Sequence, residues 1–367
     1  MFRTFTAIIY HMNQEFIPIL EEIEKALKKA LPDQTQKDWQ KLCFRELESS
    51  VKSEHIQNLI TPCRSLMDLG GKRWRPLLMV LCYKMAQESG LSNGLKLEDA
   101  LSLTPLVEFV HTASLIHDDI EDGADTRRGK PAAHITYGLD TALNAASWLY
   151  FLASCCIDKL SAPVELKNRF YILYATELRR LHLGQAMDIY WHRNPDLFPT
   201  IDEYKAMVHC KTGTLASLAT QVGITAGGAT EEQAIKAGEI AAKLGEGFQI
   251  LDDVQNLTTG NPGKKRGDDI VEGKKSLPVL LHIQHNPEDK ETIAKLFETA
   301  RRDGIESPAV EECIHILEQK GAIMQAREQG LECIKQNSQN LANIFGTKAS
   351  SKSAAQIVDL FLGMANA

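Results

Sequence analysis

No two cysteines of this chain stand in a CxxC spacing, and none of the eight (43, 63, 82, 155, 156, 210, 313, 333) clusters with histidine. That excludes the common zinc and thiol-redox motifs. Most of them sit in apolar runs and read as reduced core residues of a cytoplasmic protein. No apolar run reaches the ~18 residues of a membrane span, so no stable membrane insertion is expected. The opening Met1 to Tyr10 is briefly apolar but lacks the long hydrophobic region and cleavage site of a secretory signal. Basic excess is missing as well. A net charge of -7 argues against a nucleic-acid surface. Strand-type Val/Ile alternation is almost absent, and no repeat at a solenoid period occurs.

What remains is helix. The chain is 44% hydrophobic, ample for a core, and its 367 residues suit either two or three average domains or one large helical one. Phe16, Ile19, Leu20, Ile23 and Leu27 form a helical stripe that Pro32-Asp33 breaks. A second helix starts at Trp39 and fades near Thr61-Pro62. Pro76 suits the first turn of a helix over 76–89. Further helices are expected over 99–122, 139–160, 164–190 and 231–259, with shorter ones beyond 276. Thr200-Ile-Asp-Glu203 is a capping box. The small, polar 346–353 stretch reads as a flexible connection to a last helix. Without a credible linker, the chain reads as one all-α bundle.

The chemistry concentrates at the end of the 99–122 helix. Five acids, Asp118, Asp119, Glu121, Asp122 and Asp125, fall within eight residues, and Gly123 reads as the helix stop. A helix C-terminus carries partial negative charge, and like charges at i,i+4 repel. Acids placed there call for a cation. Asp118 and Asp122 lie on one face, a geometry that suits Mg2+ held by one or two carboxylates and phosphate oxygens. A second acidic turn, Asp252-Asp253 with Asn256, repeats the spacing on another long helix. A lone Asp-Asp is ordinarily a solvated face; two such pairs embedded in apolar residues are not. Bases recur nearby: Lys72, Arg73 and Arg75 before a helix start, Arg127-Arg128, Lys211, and the Gly263-to-Lys274 loop. Helix starts and arginines favour phosphate. Acids for metal and bases for phosphate in an apolar bundle suit a diphosphate ester with a hydrocarbon tail.

Gly71-Lys72-Arg73-Trp74-Arg75-Pro76, the Asp118-to-Asp122 DDxxD stretch with Arg127-Arg128-Gly129, Gly184-Gln185 with Asp188, Lys211-Thr212, Phe248-Gln249 with Asp252-Asp253, and the Gly263–Lys274 loop stand in one order and spacing. Together they resemble the trans-isoprenyl diphosphate synthase (polyprenyl synthetase) family, and Gly184 to Trp191 with Glu203 to Met207 resembles its eukaryotic-type geranylgeranyl diphosphate synthases. The resemblance implies the isoprenoid synthase fold, a helical bundle around a central cavity, and one domain over 1–367, with helices in 1–60 and 350–367 peripheral. It implies condensation of isopentenyl diphosphate with a C5 to C15 allylic diphosphate. Asp118, Asp122 and Asp252 would hold Mg2+, three ions per site with Mn2+ an alternative. Arg127, Lys211 and Lys264 would grip the allylic diphosphate; Lys72, Arg75, His111 and Arg128 would bind isopentenyl diphosphate. Asp119, Thr212, Gln249 and Lys274 complete the implied set, with Gln249 and the Lys211 carbonyl facing an allylic cation. A homodimer is implied too.

His117 and Trp191 read as structural. Asn256 stands where many relatives carry Asp, leaving Asp252 the main load. Ala113 and Ser114, upstream of Asp118, are small and leave the tail's path open, which favours a C20 product. Ala113 lies about 7.5 Å deeper at 1.5 Å per residue. Phe151, Tyr174 or a partner subunit would form the floor. Two other functions compete: a non-catalytic subunit of a heteromeric synthase, and a class I terpene cyclase.

Overall fold

The computed structural model describes residues 14–260, 265–346 and 351–365. The first stripe forms α1 (Ile17–Ala30), which buries Leu20, Ile23 and Leu27. The helix expected from Trp39 is two, α2 (Lys37–Phe44) and α3 (Ser53–Met67). Pro62 does not end α3 but lies buried inside it. After α4 (Trp74–Glu88), the apolar run before the first acids breaks into α5 (Leu97–Ser102) and α6 (Pro105–Glu121). Pro105 has no N–H to continue a helix and fits a first turn. Gly123, at φ +66, stops α6 as expected, and the Ala124 N–H closes the end on the Asp119 carbonyl.

A small hairpin follows, β1 (Thr126–Arg127) and β2 (Lys130–Pro131). Its turn residues Arg128 and Gly129 both take positive φ, +52 and +73. That is the requirement of a two-residue hairpin whose twist matches its strands. The Arg-Arg-Gly run is therefore a turn as much as a pair of charges.

Next come α7 (Ala133–Tyr137), α8 (Leu139–Ala153), α9 (Cys155–Asp158) and the 29-residue α10 (Val164–His192). The expected 139–160 helix is thus interrupted at Ser154. The capping box at Thr200 opens α11 (Ile201–Val208), with Thr200 Oγ1 accepting from the Glu203 N–H. A π turn, His209–Gly213, joins it to α12 (Thr214–Ala226). Thr230 caps α13 (Glu231–Thr258) in the same manner. The rest is α14 (Asp268–Glu272), α15 (Leu277–His285), α16 (Lys290–Asp303), α17 (Pro308–Gln319), α18 (Ala322–Ala342) and α19 (Lys352–Ala365). At 21 residues α18 is longer than the short helices expected there. Part of the expected 346–353 connection lies outside the described residues.

Every residue of α12 is buried, which marks it as the central helix. It packs against α4, α10 and α13. The main core gathers side chains from Phe16 to Phe361, and a second cluster around Trp191, Tyr204 and Phe297 fills the far side. Trp191 is packing, as expected. The terminal helices are not peripheral: Ile23 and Leu27 of α1 and Ile357 and Phe361 of α19 are fully buried. Each carries a full apolar stripe, and a stripe must be covered.

Arg73 ties these layers together. It stands at φ +47 before α4 with only 2% of its side chain exposed. Its guanidinium donates to Glu24 of α1 at 2.6 Å, Glu108 of α6 at 2.5 Å and the Met67 carbonyl at 2.7 Å. Arg73→Ala would leave Glu108 buried without its charge partner. The expected loss is about 3–5 kcal/mol of stability, measured by chemical denaturation.

Candidate active site

The acidic ends of α6 and α13 line one cleft of about 480 Å3. Three helices converge there because glycines let them. A Cβ on Gly184 of α10 would lie 2.3 Å from the Lys211 nitrogen, and one on Gly245 of α13 would lie 2.6 Å from the Gly213 Cα. The π turn between α11 and α12 sits in that space, with backbone bonds shifted to i→i−5. Lys211–Thr212 thus lies in a widened turn, not in a regular helix. Gly184→Ala is expected to cost about 1–3 kcal/mol by overpacking and to displace Lys211, so that activity falls further than the melting temperature suggests.

Lys211 holds the centre. Its Nζ lies 2.5 Å from Asp188 and 3.5 Å from Asp118. Burial alone would lower its pKa, but Asp188 and Asp118 outweigh that and raise it, so the ammonium persists. Asp118 also accepts from Gln185 Nε2 at 3.2 Å and faces Arg127 at 3.5 Å. Asp122 meets Lys274 at 3.2 Å. Burial pushes the Asp122 carboxyl up, with Lys274 opposing. Asp119 differs from both neighbours. Its side chain is 1% exposed and accepts from Arg127 Nε at 2.7 Å. It anchors Arg127 instead of facing the cleft.

On the other wall, Asp252 and Asp253 both line the cleft. Asp253 accepts from the Tyr204 hydroxyl at 2.6 Å and from Gln249 Nε2 at 3.0 Å. Burial nevertheless pushes Asp253 up to about 6. Gln249 is fixed from its other end by Thr212, whose hydroxyl donates to Oε1 at 2.8 Å. Asn256 is fully buried and away from the cleft. Its Oδ1 accepts from the Asp269 N–H at 3.3 Å, so it supports the start of α14 and does not repeat the role of Asp122.

The basic flank holds Lys72, Arg75 and His111, with Arg128 close by. Arg75 Nη1 lies 3.4 Å from His111 Nε2. Arginine only donates, so Nε2 accepts and the imidazole proton sits on Nδ1. Burial, and then Arg75, Arg128, Arg73 and Arg127, hold the His111 pKa well below its usual value, so the ring is neutral. Arg128 donates to the Gly70 carbonyl. Lys264 lies outside the described residues.

The apolar end differs from expectation. Ser114 lines the cleft, one turn before Asp118 on the same face. Ala113 does not: it is fully buried in the core, because a five-residue step turns the side chain off that face. Phe151 is 76% exposed and cannot floor the cleft from within this chain. Tyr174 lies behind Tyr150, to whose carbonyl it donates. Tyr150 is the lining residue, packed against His117 at 5.5 Å and His182 at 5.3 Å. His117 is therefore cavity wall, not buried structure. Met364 of α19 lines the cleft as well.

Sequence reasoning assigned no role to Gln185, Asp188, Tyr204 and Met364. The first two had a signal, since they lie one helical turn apart inside a quoted motif. Tyr204 stands inside the Glu203-to-Met207 stretch, though nothing there pointed to its hydroxyl, and Met364 had no signal.

Among the described residues no three acid, histidine or cysteine side chains converge as a ready metal cage. The donor set still fits a hard divalent cation. Asp118, Asp122 and Asp252 supply only oxygen, and Lys211 and Lys274 lie between acids where other cations would lie. Such a site is completed by ligand oxygens.

Residues 56–317 match the family model described as polyprenyl synthetase. A geranylgeranyl pyrophosphate synthase of Penicillium paxilli is 34% identical over 63% of this chain and 59% of its own length. The chain thus spans about three-fifths of that relative. A short chain isoprenyl diphosphate synthase of Methanocaldococcus jannaschii is 32% identical over 74% of this chain and 79% of its own. The crystal structure of a geranylgeranyl pyrophosphate synthetase from Pyrococcus horikoshii superposes with a TM-score of 0.73 at 29% identity, covering 94% of this chain and 98% of that one. With the family model matched over most of its length, this chain belongs to the polyprenyl synthetase family.

Proposed function

We propose that this protein is a trans-prenyltransferase that condenses isopentenyl diphosphate with an allylic diphosphate to give geranylgeranyl diphosphate. The observation that carries the reading is one cleft with two acidic helix ends, a separate basic flank and an apolar end. Two diphosphates and one hydrocarbon tail require those three parts. Asp118, Asp122 and Asp252 would hold Mg2+, which when bound acts as a Lewis acid on the leaving diphosphate. Arg127, fixed by Asp119, and Lys211, fixed by Asp188, grip that diphosphate from the protein side. Lys72, Arg75, His111 and Arg128 hold isopentenyl diphosphate. The allylic C–O bond breaks, the isopentenyl double bond forms the new C–C bond, and the released diphosphate takes the proton. Gln249, locked by Thr212 and Asp253, presents an oriented amide to the cation. Tyr150, His117 and Leu181 exclude water from the growing tail.

The test is incubation with isopentenyl diphosphate, Mg2+ and each of the C5, C10 and C15 primers, followed by sizing of the products. A C20 product is expected; no incorporation from any primer overturns the reading. A non-catalytic subunit has no need of two acidic helix ends in one cleft. A terpene cyclase has no need of the basic flank.

The partner is a second copy of the chain. Leu139, Leu143 and Phe151 of α8 and Ile172, Leu183 and Tyr190 of α10 are exposed apolar residues on helices flanking the cleft. Large apolar side chains exposed together on two helices are ordinarily covered. Phe151→Glu is expected to shift the protein from dimer to monomer in light scattering. No described helix is long and apolar enough to cross a membrane, and all eight cysteines are free, as the cytosol would keep them.

A further inference from the structure

The basic flank has an unusual support. Arg75 makes no ion pair with any carboxylate among the described residues, and its buried Nε has no hydrogen-bond partner there. Besides His111, what fixes its guanidinium is the face of Trp74, 4.5 Å away. Trp74 is itself held between two rings, Phe248 at 5.5 Å and Phe361 at 5.9 Å, which touch each other at 5.5 Å. Phe248 precedes Gln249 on α13. Phe361 belongs to α19 and is fully buried. One turn further on, Met364 enters the cleft.

The far end of α19 is fastened to the same helix that carries Trp74. Glu88, the last residue of α4, accepts from Ser351 Oγ at 2.6 Å, the Ser353 N–H at 3.0 Å and Ser353 Oγ at 2.7 Å. An acid at a helix N-terminus satisfies donors that the helix leaves open and complements its dipole. Burial alone would raise the Glu88 pKa, but these three hydrogen bonds win and hold it below the usual range. So α19 runs antiparallel to α4, fastened by Glu88 at one end and by the aromatic triad at the other. At 1.5 Å per residue the two fastenings lie about 21 Å apart along α4, from Trp74 to Glu88, and about 12 Å apart along α19, from Ser353 to Phe361.

Resting on the function proposed above, we propose that α19 is a positioning element for the second substrate: Phe361 holds Trp74, Trp74 carries Arg75, and the docked helix thereby sets the affinity for isopentenyl diphosphate. Phe361 touches no reacting atom. The Asp118–Asp122 side of the cleft is held by Lys211, Arg127, Gln185 and Lys274, none of which belongs to the triad. Loosening α19 therefore acts on one substrate and spares the other.

Steady-state kinetics of the full chain with each substrate varied separately tests this. Phe361→Ala is expected to raise KM for isopentenyl diphosphate roughly tenfold, the scale of one desolvated cation–π contact. The KM for the allylic substrate stays within about twofold. Phe361→Tyr keeps the ring and restores the wild-type value. Glu88→Gln, remote from the cleft, produces a smaller rise of the same selectivity, roughly threefold, by weakening a charge-assisted cap. It also keeps the test open if Phe361→Ala fails to fold. An unchanged KM for isopentenyl diphosphate in Glu88→Gln or in folded Phe361→Ala overturns the inference, as does an equal rise for both substrates. Wild-type protein that incorporates no isopentenyl diphosphate overturns the functional reading instead.

Discussion

Asp118→Ala is expected to lower kcat by roughly three to four orders of magnitude while leaving the fold in place. Lewis-acid stabilisation of a leaving diphosphate is worth several kcal/mol, and each 1.36 kcal/mol is a factor of ten. Asp118 sits where a carboxylate does most: on the cleft face of α6, within reach of Lys211, Gln185 and Arg127. The neighbours survive its loss. Lys211 retains Asp188 at 2.5 Å, and Arg127 retains Asp119 at 2.7 Å. Unfolding should therefore move little. Incorporation of labelled isopentenyl diphosphate, measured beside a thermal melt, separates the two effects. Turnover within tenfold of wild type would show that the metal does not depend on Asp118. The matching change at Asp119 has the opposite character. It leaves the buried Arg127 without its short contacts and with only Asp118 at 3.5 Å, so stability and activity fall together.

The second large effect concerns product length. Ser114→Tyr is expected to replace the C20 product with C10 or C15, reducing the C20 share at least about tenfold, since a pocket that clashes with a longer tail discriminates steeply. Ser114 lines the cleft one turn, about 6 Å, deeper than Asp118. A tyrosine there fills the space in front of His117 and Tyr150. Ala113→Tyr is the control. Ala113 is fully buried against the core, so a tyrosine there overpacks it, costs about 1–3 kcal/mol or more, and shows up first in the melt. Chromatographic sizing decides. If Ala113→Tyr folds normally and shortens the product while Ser114→Tyr does not, the tail runs down the other face of α6.

The contrast between these two residues shows what a sequence discloses. Helical periodicity, the capping box at Thr200, and the acids at two helix ends are local signals, and the helices carry them. Of the three acids singled out by spacing, Asp118 and Asp252 line one cleft, while Asp122 is nearly buried against Lys274. Local signals say that a face is buried, not what buries it. Ala113 and Ser114 are both small, and only the third dimension separates core from cavity. Asp119 looked like its neighbours until Arg127 claimed it, and Asn256 looked like a fourth acid position until the start of α14 did. The break at Thr104 was legible, since Pro105 marks it, but the apolar run across it read as continuous. The role of α19 was out of reach. Glu88 and Ser353 stand 265 positions apart, and no period connects them.

That separation bears on how the chain is made. Synthesis proceeds from the N-terminus, and elements fold as they emerge. Everything that α19 packs against precedes it in the chain. Until Phe361 arrives, Trp74 and Phe248 present an open aromatic seam beside the cleft. A nascent chain at that stage has its acidic helix ends and its core but an uncovered apolar groove, the kind of surface that chaperones bind. On the proposed role of α19, binding competence for the second substrate would be acquired late, by the same helix that covers this aromatic seam.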